Sequence, residues 1–491
     1  MKNRILTLIL GVLGICGSVA QDTLLSKKAV AGPVQEELLS KKDTQSLAQK
    51  DFVPKDSVRL LSQSGFLSKE TAAALALENN FGIKVARNQV AIAENNKGVL
   101  NSGYLPTLTG TAGANYNRDD SVIEFPGQNN EDGSPRADVD IYKAEAQRYN
   151  SALNLNYTLF DGLGRFYTYK RLKEEYQLSE LQARETIENT LLQLFSVYFE
   201  VSRLTENKNV LQEALEISTQ RITRAEYAFE YGQNTKLDIL NAQVDVTNDS
   251  INLLNTQQQL ENTKRDLNVV LNQDLNTTFE VDTLVKFIPR LQLDELIAQA
   301  QENNVAILQT ERNLAINAYD IKVSRSGYLP NLDLNGTYGW NLNQSAASAF
   351  FPGTNNTTWN FGLGASLTWN LFDGGGTTVR VKNAKIAYEN QELLQEQVEL
   401  EVARDVANAL AIYENRLNIF QIQEQNVITN QNNFERSEEQ FKLGRITSIE
   451  FRQAQINLLN AQTNKNLAKY DAKLAELQLL QLTGQLLNVE L

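Results

Sequence analysis

The sequence predicts a mainly α-helical fold carrying a transmembrane β-barrel, built as a tandem repeat of long antiparallel helices plus one β-hairpin per copy. Three observations lead there: an ordered duplication, two helical runs of unusual length, and strands that alternate apolar with small polar residues. Ser102-Gly103-Tyr104-Leu105-Pro106 returns as Ser326-Gly327-Tyr328-Leu329-Pro330, Glu78-Asn79-Asn80 as Glu302-Asn303-Asn304, and Leu159-Phe160-Asp161-Gly162 as Leu371-Phe372-Asp373-Gly374. The offset is 224 for the first two motifs and 212 for the third, so one copy carries 12 extra residues between them. A period this long means two large repeats rather than a solenoid of small units.

From Arg165 to Tyr231 and from Thr377 to Leu443 there is neither glycine nor proline, and Leu, Ala, Glu, Gln, Arg and Asn dominate. Such runs read as helix. Each is about 67 residues and spans roughly 100 Å at the helical rise per residue, far longer than a globular domain needs. Shorter helical stretches flank each one, at 68–103 and 235–272 in the first copy and 294–327 and 447–483 in the second. Laid end to end, a short pair nearly matches its long partner, so the expected geometry is one long helix beside two stacked short ones. All eight prolines fall outside these spans, as helix interiors require.

Between the first short helix and the long helix of each copy the period changes to two. Trp359, Phe361, Leu363, Ala365, Leu367, Trp369 and Leu371 alternate with Asn360, Gly362, Gly364, Ser366, Thr368 and Asn370, which is strand periodicity. Leu332 to Leu342 alternates in the same way, as does Leu153 to Leu159, and a weaker Thr, Gly and Ala strand runs from Thr107 to Asn117. Each copy thus holds one hairpin and the chain four strands, with long polar hairpin loops at about 118–148 and 343–357. Strands apolar on one face and Asn, Thr, Ser or Gly on the other suit a barrel with a wet interior in the outer membrane; one layer of a soluble sandwich is the alternative. The three tryptophans, Trp340, Trp359 and Trp369, all lie in the second hairpin, near positions where an aromatic girdle would sit.

The amino terminus supports the membrane reading. Met1-Lys2-Asn3-Arg4, an apolar core from Ile5 to Ile15 and Ser18-Val19-Ala20 before Gln21 form a secretory signal over 1–20, with cleavage expected after Ala20. Cys16, the only cysteine, leaves with it, unless it is lipidated. Residues 21–66 form an amino-terminal arm in which Leu24-Leu25-Ser26-Lys27-Lys28 recurs as Leu38-Leu39-Ser40-Lys41-Lys42. The repeats then occupy 67–285 and 286–491. No other apolar run approaches the length of a membrane-spanning helix.

The net charge is −13, and loss of Lys2 and Arg4 leaves 44 basic against 59 acidic residues, a balance of −15. That argues against nucleic acid as a partner. Four strands cannot close a barrel, so strands in a membrane force oligomerisation. A cyclic trimer supplies twelve strands above twelve helical columns and covers the hairpin edges.

These features resemble the TolC-type outer-membrane efflux proteins. The resemblance rests on the tandem order, the Tyr-Leu-Pro before the first strand, the Leu-Phe-Asp-Gly after the second, and a glycine followed by an acid and Ala-Gln. That last motif stands as Gly232-Gln233-Asn234-Thr235-Lys236-Leu237-Asp238 with Ala242-Gln243, and again as Gly444-Arg445-Ile446-Thr447-Ser448-Ile449-Glu450 with Ala454-Gln455. The resemblance implies a homotrimer whose barrel crosses the outer membrane lipid and continues as a helical periplasmic tunnel. It also implies a periplasmic adaptor (membrane fusion) protein and an inner-membrane transporter, expected to be of the resistance-nodulation-division type.

Gly232 and Gly444 should end the long helices and reverse the chain, with Thr235 and Thr447 capping the returning helices. These turns are where an adaptor would meet the tube, Arg445 among them. The resemblance implies rings of acids that narrow the tip; Glu450 keeps the carboxylate, whereas Gln453 does not. Phe441 and Ile446 stand where the family often has a tyrosine and an arginine that hold the tip shut, so this tip is expected to close by different contacts. Asp238 is expected to cap or pack.

Asp161-Gly162 and Asp373-Gly374 are read as strand-to-helix turns. The glycines there could suggest a phosphate loop, but no Lys-Ser/Thr follows. With no histidine and no cysteine after Cys16, no active site, metal or cofactor is expected. The expected function is that of a passive exit duct in a tripartite efflux system. The alternatives are the exit duct of a type I protein secretion system and, from a different class, a periplasmic coiled-coil scaffold.

Overall fold

The computed structural model describes residues 65–288, 293–347 and 352–488; the signal segment and nearly all of the expected arm lie outside them. The elements run in order as β1 (Phe66–Leu67), α1 (Lys69–Asn79), α2 (Phe81–Asn96), β2 (Thr107–Ile123), β3 (Val139–Asp161), α3 (Gly164–Glu230) and α4 (Lys236–Leu271). They continue as β4 (Glu280–Val281), α5 (Leu293–Asn303), α6 (Val305–Ser326), β5 (Asn331–Ser345), β6 (Thr354–Thr368), α7 (Gly376–Lys442) and α8 (Ser448–Leu482). The duplication is visible in the element order, with α1, α2 and β2 mapping onto α5, α6 and β5, and β3, α3 and α4 onto β6, α7 and α8; the bounds of α1 and of α3 coincide with those of α5 and α7 under the repeat offsets. Both long helices contain 67 residues, as the glycine- and proline-free runs predict.

Three expectations are corrected. The short helices preceding the hairpins are each broken in two, at Asn80 and Asn304. Asn80 Oδ1 accepts from the N–H groups of Gly82 and Ile83, and its amide donates to the Val270 carbonyl at 2.9 Å. Asn304 repeats this with Ala306 and Ile307, and with the Leu482 carbonyl at 2.8 Å. Each asparagine therefore starts a new helix and ties it to the end of the returning one.

The hairpin loops are shorter than expected, because β2 runs on to Ile123 and β3 starts at Val139, so that much of the presumed first loop is paired strand. A ladder in water needs no apolar face, and the charged residues there pair normally through a bulge between Asp119 and Ser121. The third correction is that β1 and β4 form a parallel two-stranded pair beyond the four expected strands. Tyr198 of α3 staples that pair: its hydroxyl donates to the Leu67 carbonyl at 2.8 Å and accepts from the Asp282 N–H at 3.0 Å.

The main apolar core surrounds this staple, with Phe195, Tyr198 and Phe199 of α3 packed against Leu75, Leu267, Leu271 and Leu477. A second core forms around Val406 and Tyr413 of α7 with Leu479 of α8 and Ile307 of α6. Between them Lys473 and Glu476 make a buried ion pair, completed by the Tyr413 hydroxyl and the Ile288 N–H. No helix among the described residues is long and apolar enough to cross a membrane.

Candidate functional site

The chain has two ends of interest, the sheet and the helical turns farthest from it. In the sheet the order is β2-β3-β5-β6, antiparallel throughout, leaving β2 and β6 as edges. One face carries Leu108, Leu153, Leu155, Tyr157, Leu334, Tyr338, Trp340, Trp359, Phe361, Leu363 and Leu367, as the pairing register requires. The other carries amides and hydroxyls that bond across strands: Thr337 to Asn154 at 3.1 Å, Asn341 to Asn360 at 3.3 Å, and Thr158 to Asp333 at 2.7 Å. Neither face is covered by an extensive layer of helix or a second sheet, so Phe361 is 76 % and Leu367 67 % exposed. A contiguous apolar face of this size marks an interaction surface; among the described residues no second sheet packs against it to make a sandwich within the chain.

The structure pairs Trp340 with Trp359 across β5 and β6, ring centroids 6.5 Å apart. Trp369 lies just beyond the end of β6 and donates its indole N–H to the Tyr328 carbonyl. Asp161 and Asp373 stand at the starts of the long helices. Asp161 accepts from the Arg165 N–H at 2.7 Å, and Asp373 from the N–H and hydroxyl of Thr377, which satisfies open amides and complements the helix dipole. Gly162 and Gly374 hold left-handed φ angles of 67° and 69° in these turns.

At the far end the two turns are the same device used twice. Gly232 and Gly444 have φ of 71° and 70°. Gln233 N–H reaches back to the Ala228 carbonyl and Gly232 N–H to that of Phe229; Arg445 and Gly444 repeat this with Gln440 and Phe441. This is the Schellman closure of a helix. The returning helices open on reciprocal caps, Thr235 with Asp238 and Thr447 with Glu450. Glu450 is therefore a capping residue as well as a surface acid, and the Thr447 N–H followed by its hydroxyl holds the carboxyl below the usual carboxylate range. Gln453, one turn on, is exposed and bonds only along its own helix to Asn457.

Sequence reasoning missed the strongest feature of this end. Arg452 of α8 binds Asp249 of α4, and lies 3.5 Å from Asp245; Arg221 of α3 binds Asp245 and the Ser448 hydroxyl, and Ser218 bonds Asp249. These residues join three helices in a buried cluster. Burial lowers the Arg221 guanidinium; for Arg452 burial acts the same way, but the bond and charge of Asp249 outweigh it and raise the group. No local signal could have announced the cluster, since its partners lie 203 residues apart.

Asp120, Asp132 and Asp138 accept local bonds from Lys143, Ser134 and Phe125 N–H groups. Among the described residues no cluster of three or more His, Cys, Asp or Glu could hold a metal ion. A groove of about 320 Å³ over α3, between α4 and α8, is lined by uncharged groups including Asn207, Asn252, Asn255, Gln259 and Asn460.

The profile of the family described as outer membrane efflux protein matches residues 72–273 and 296–485. The chain belongs to the outer membrane efflux protein family. It is 26% identical over 394 residues to outer membrane protein TolC of Vibrio cholerae, covering 78% of this chain and 83% of that protein. It is 21% identical over 427 residues to outer membrane efflux protein BepC of Brucella suis, covering 84% and 85%. The fold is similar to that of the Campylobacter jejuni CmeC outer membrane channel, with a TM-score of 0.67 at 19% identity over 93% of this chain and 94% of that one.

Phe441 and Ile446, at which the resemblance leads one to expect a tyrosine and an arginine, lie in an apolar cluster of the turn. Phe441 stacks on Phe451 at 4.9 Å, Phe451 stacks on Phe434, and Ile446 packs against the same cluster. Arg224 lies 4.8 Å over the Phe441 ring while donating to the Lys442 carbonyl at 2.8 Å. Where hydroxyl and guanidinium groups are expected, this turn is held by an aromatic stack roofed by a cation.

Proposed function

We propose that this chain is the passive outer-membrane exit duct of a tripartite efflux system, receiving small molecules from an inner-membrane pump of the resistance-nodulation-division type through a periplasmic adaptor. The observation that carries the reading is the sheet: exposed apolar groups on one face, amides and hydroxyls on the other, and both edges open. From Trp359 to Trp369 a strand rises roughly 33 Å, and at a tilt of about 40° this gives about 25 Å of height, the apolar band of an outer-membrane barrel. Three copies supply twelve strands, with Trp340 and Trp359 at one rim and Trp369 at the other. The polar face becomes the lumen.

The long helices continue the lumen away from the membrane to the turns at Gly232 and Gly444. There Thr235, Asp238, Arg445 and Thr447 offer the adaptor a rigid surface, and Glu450 and Gln453 stand nearest the opening. The acidic balance, 44 basic against 59 acidic residues once Lys2 and Arg4 leave with the signal, favours passage of cations over anions.

The test is to extract the protein from outer membranes in mild detergent and measure its oligomeric mass and bilayer conductance. A trimer with small, cation-preferring conductance that rises when Glu450 is made neutral supports the duct. A water-soluble monomer without conductance overturns it.

A further inference from the structure

The chain as a whole is acidic, yet its charge reverses where the long helices leave the sheet. Residues 164–173 of α3 and 376–385 of α7 carry seven basic groups and no acidic one. Arg165, Arg171 and Arg380 are paired with Asp161, Asp320 and Asp373. The other four form two lysine pairs related by the repeat: Lys170 and Lys173 return as Lys382 and Lys385, at the offset of 212. All four are exposed, and among the described residues none of them makes an ion pair.

Contacts fix which way the first pair faces. Toward α2 and the turn after it, α3 presents Tyr169, edge-on to Tyr104, and Tyr176, beneath the Lys97 ammonium. Toward α6 it presents Arg171 and Glu174, bonded to Asp320 and Arg312. Of the two sides left, helical spacing puts Thr168, Glu175, Ser179 and Thr186 on one, and Phe166, Lys170 and Lys173 on the other. The hydroxyl-bearing side matches the polar face of the sheet, whereas Phe166, 40 % exposed, matches the apolar one. Long side chains on a helix lean toward its amino terminus, which here is the sheet end. Accordingly Lys170 lies 4.8 Å over the Phe166 ring and Lys173 4.5 Å over that of Tyr169, each one turn nearer the sheet.

We infer that the two lysine pairs bind the phosphates of anionic phospholipid headgroups in the periplasmic leaflet of the outer membrane. Lys170 and Lys382 stand about 9 Å past the starts of their helices, and Lys173 and Lys385 about 14 Å. Their ammonium groups, reaching back toward the sheet, meet the headgroup layer just beyond the rim marked by Trp369. Charge and continuity name the occupant. Four unpaired cations directly below a band of exposed apolar side chains fit an anion that is itself anchored in hydrocarbon. Aromatic rings under Lys170 and Lys173 add the amphipathic layer typical of a membrane interface. The repeat supplies each chain with two such sites, one at the head of each long helix. The inference rests on the sheet lying in the membrane, as in the duct proposed above, and adds the class of lipid that surrounds its inner rim.

The test uses full-length protein reconstituted into vesicles of phosphatidylethanolamine with a minor share of phosphatidylglycerol. Lipids still bound after gentle extraction are counted by native mass spectrometry, and conductance is recorded in parallel. The parent should retain phosphatidylglycerol about fivefold or more above its share of the vesicle, the effect expected of even one lysine beside an anionic surface. Lys170→Gln with Lys173→Gln should lower that preference, as should Lys382→Gln with Lys385→Gln. All four changes together should abolish it, whereas arginine at all four positions should keep it. A parent without preference, or a preference that survives all four glutamines, overturns the inference; so does loss of the lipid to added inorganic phosphate, which would mark a site for free anions. Normal conductance in any of those cases leaves the duct standing. A water-soluble parent that takes up no lipid and conducts nothing overturns both.

Discussion

Arg452 grips Asp249 through two hydrogen bonds of 2.7 Å, joining α8 to α4 across the end of α3. The pair is nearly dry, with Asp249 2 % and Arg452 12 % exposed at the side chain. Removing one partner of a buried pair leaves an uncompensated charge and costs about 3–5 kcal/mol, whereas replacing both with apolar groups costs far less. Asp249→Ala should therefore sharply raise amide exchange in α4 and α8 near the turns, and adding Arg452→Met should recover much of the protection. Equal exchange in the single and double variants would contradict this.

Glu450 gives a prediction in pH. Its carboxyl is held below the ordinary range by the Thr447 N–H and hydroxyl. An acid depressed in the folded state stabilises above its unfolded value, and that contribution is lost as pH falls through the folded value. The turn between α7 and α8 should loosen on acidification below about pH 4, read as faster proteolysis at Arg445. Glu450→Gln should remove that local pH dependence.

Asn80 and Asn304 each hold two N–H groups and one carbonyl. Substitution by alanine should cost about 1 kcal/mol for the cap, and somewhat more for the carbonyl left without its donor. Thermal unfolding should show the loss for either variant. Asn304→Asp should fall between, since it keeps the acceptor and loses the donor.

Glycine substitutions separate backbone strain from crowding. Around Gly232 and Gly444 an added Cβ meets nothing within 4 Å, so alanine costs only the left-handed conformation, about 1–2 kcal/mol. At Gly162 the added atom would lie 2.5 Å from the Ser326 carbonyl and 2.8 Å from Leu329 Cβ. Gly162→Ala should lower the melting temperature more than either turn variant.

Much of this architecture was legible in the sequence because its signals are local and repeated. A run free of glycine and proline, closed by Gly232 or Gly444, can hardly be anything but a long helix with a reversed end. The breaks at Asn80 and Asn304 escaped because asparagine inside a helical pattern becomes a cap only when a carbonyl, here of Val270 or Leu482, waits beside it. Both strands of the first hairpin run past the residues that alternate, Thr107–Ile123 and Val139–Asp161, since paired backbone in water has no need of alternation. The cluster of Arg221, Asp245, Asp249 and Arg452 was invisible because its members come together only after the helices have folded back on one another.

That cluster has no twin. At the positions equivalent to Arg221, Asp245, Asp249 and Arg452 the duplicated half carries Asn433, Asn457, Ala461 and Leu240. A closed ring of copies would then alternate two kinds of seam, one riveted by buried charge and one merely greased by neutral side chains. Staves glued in pairs give way between the pairs, and the far end of this molecule should splay along every second seam.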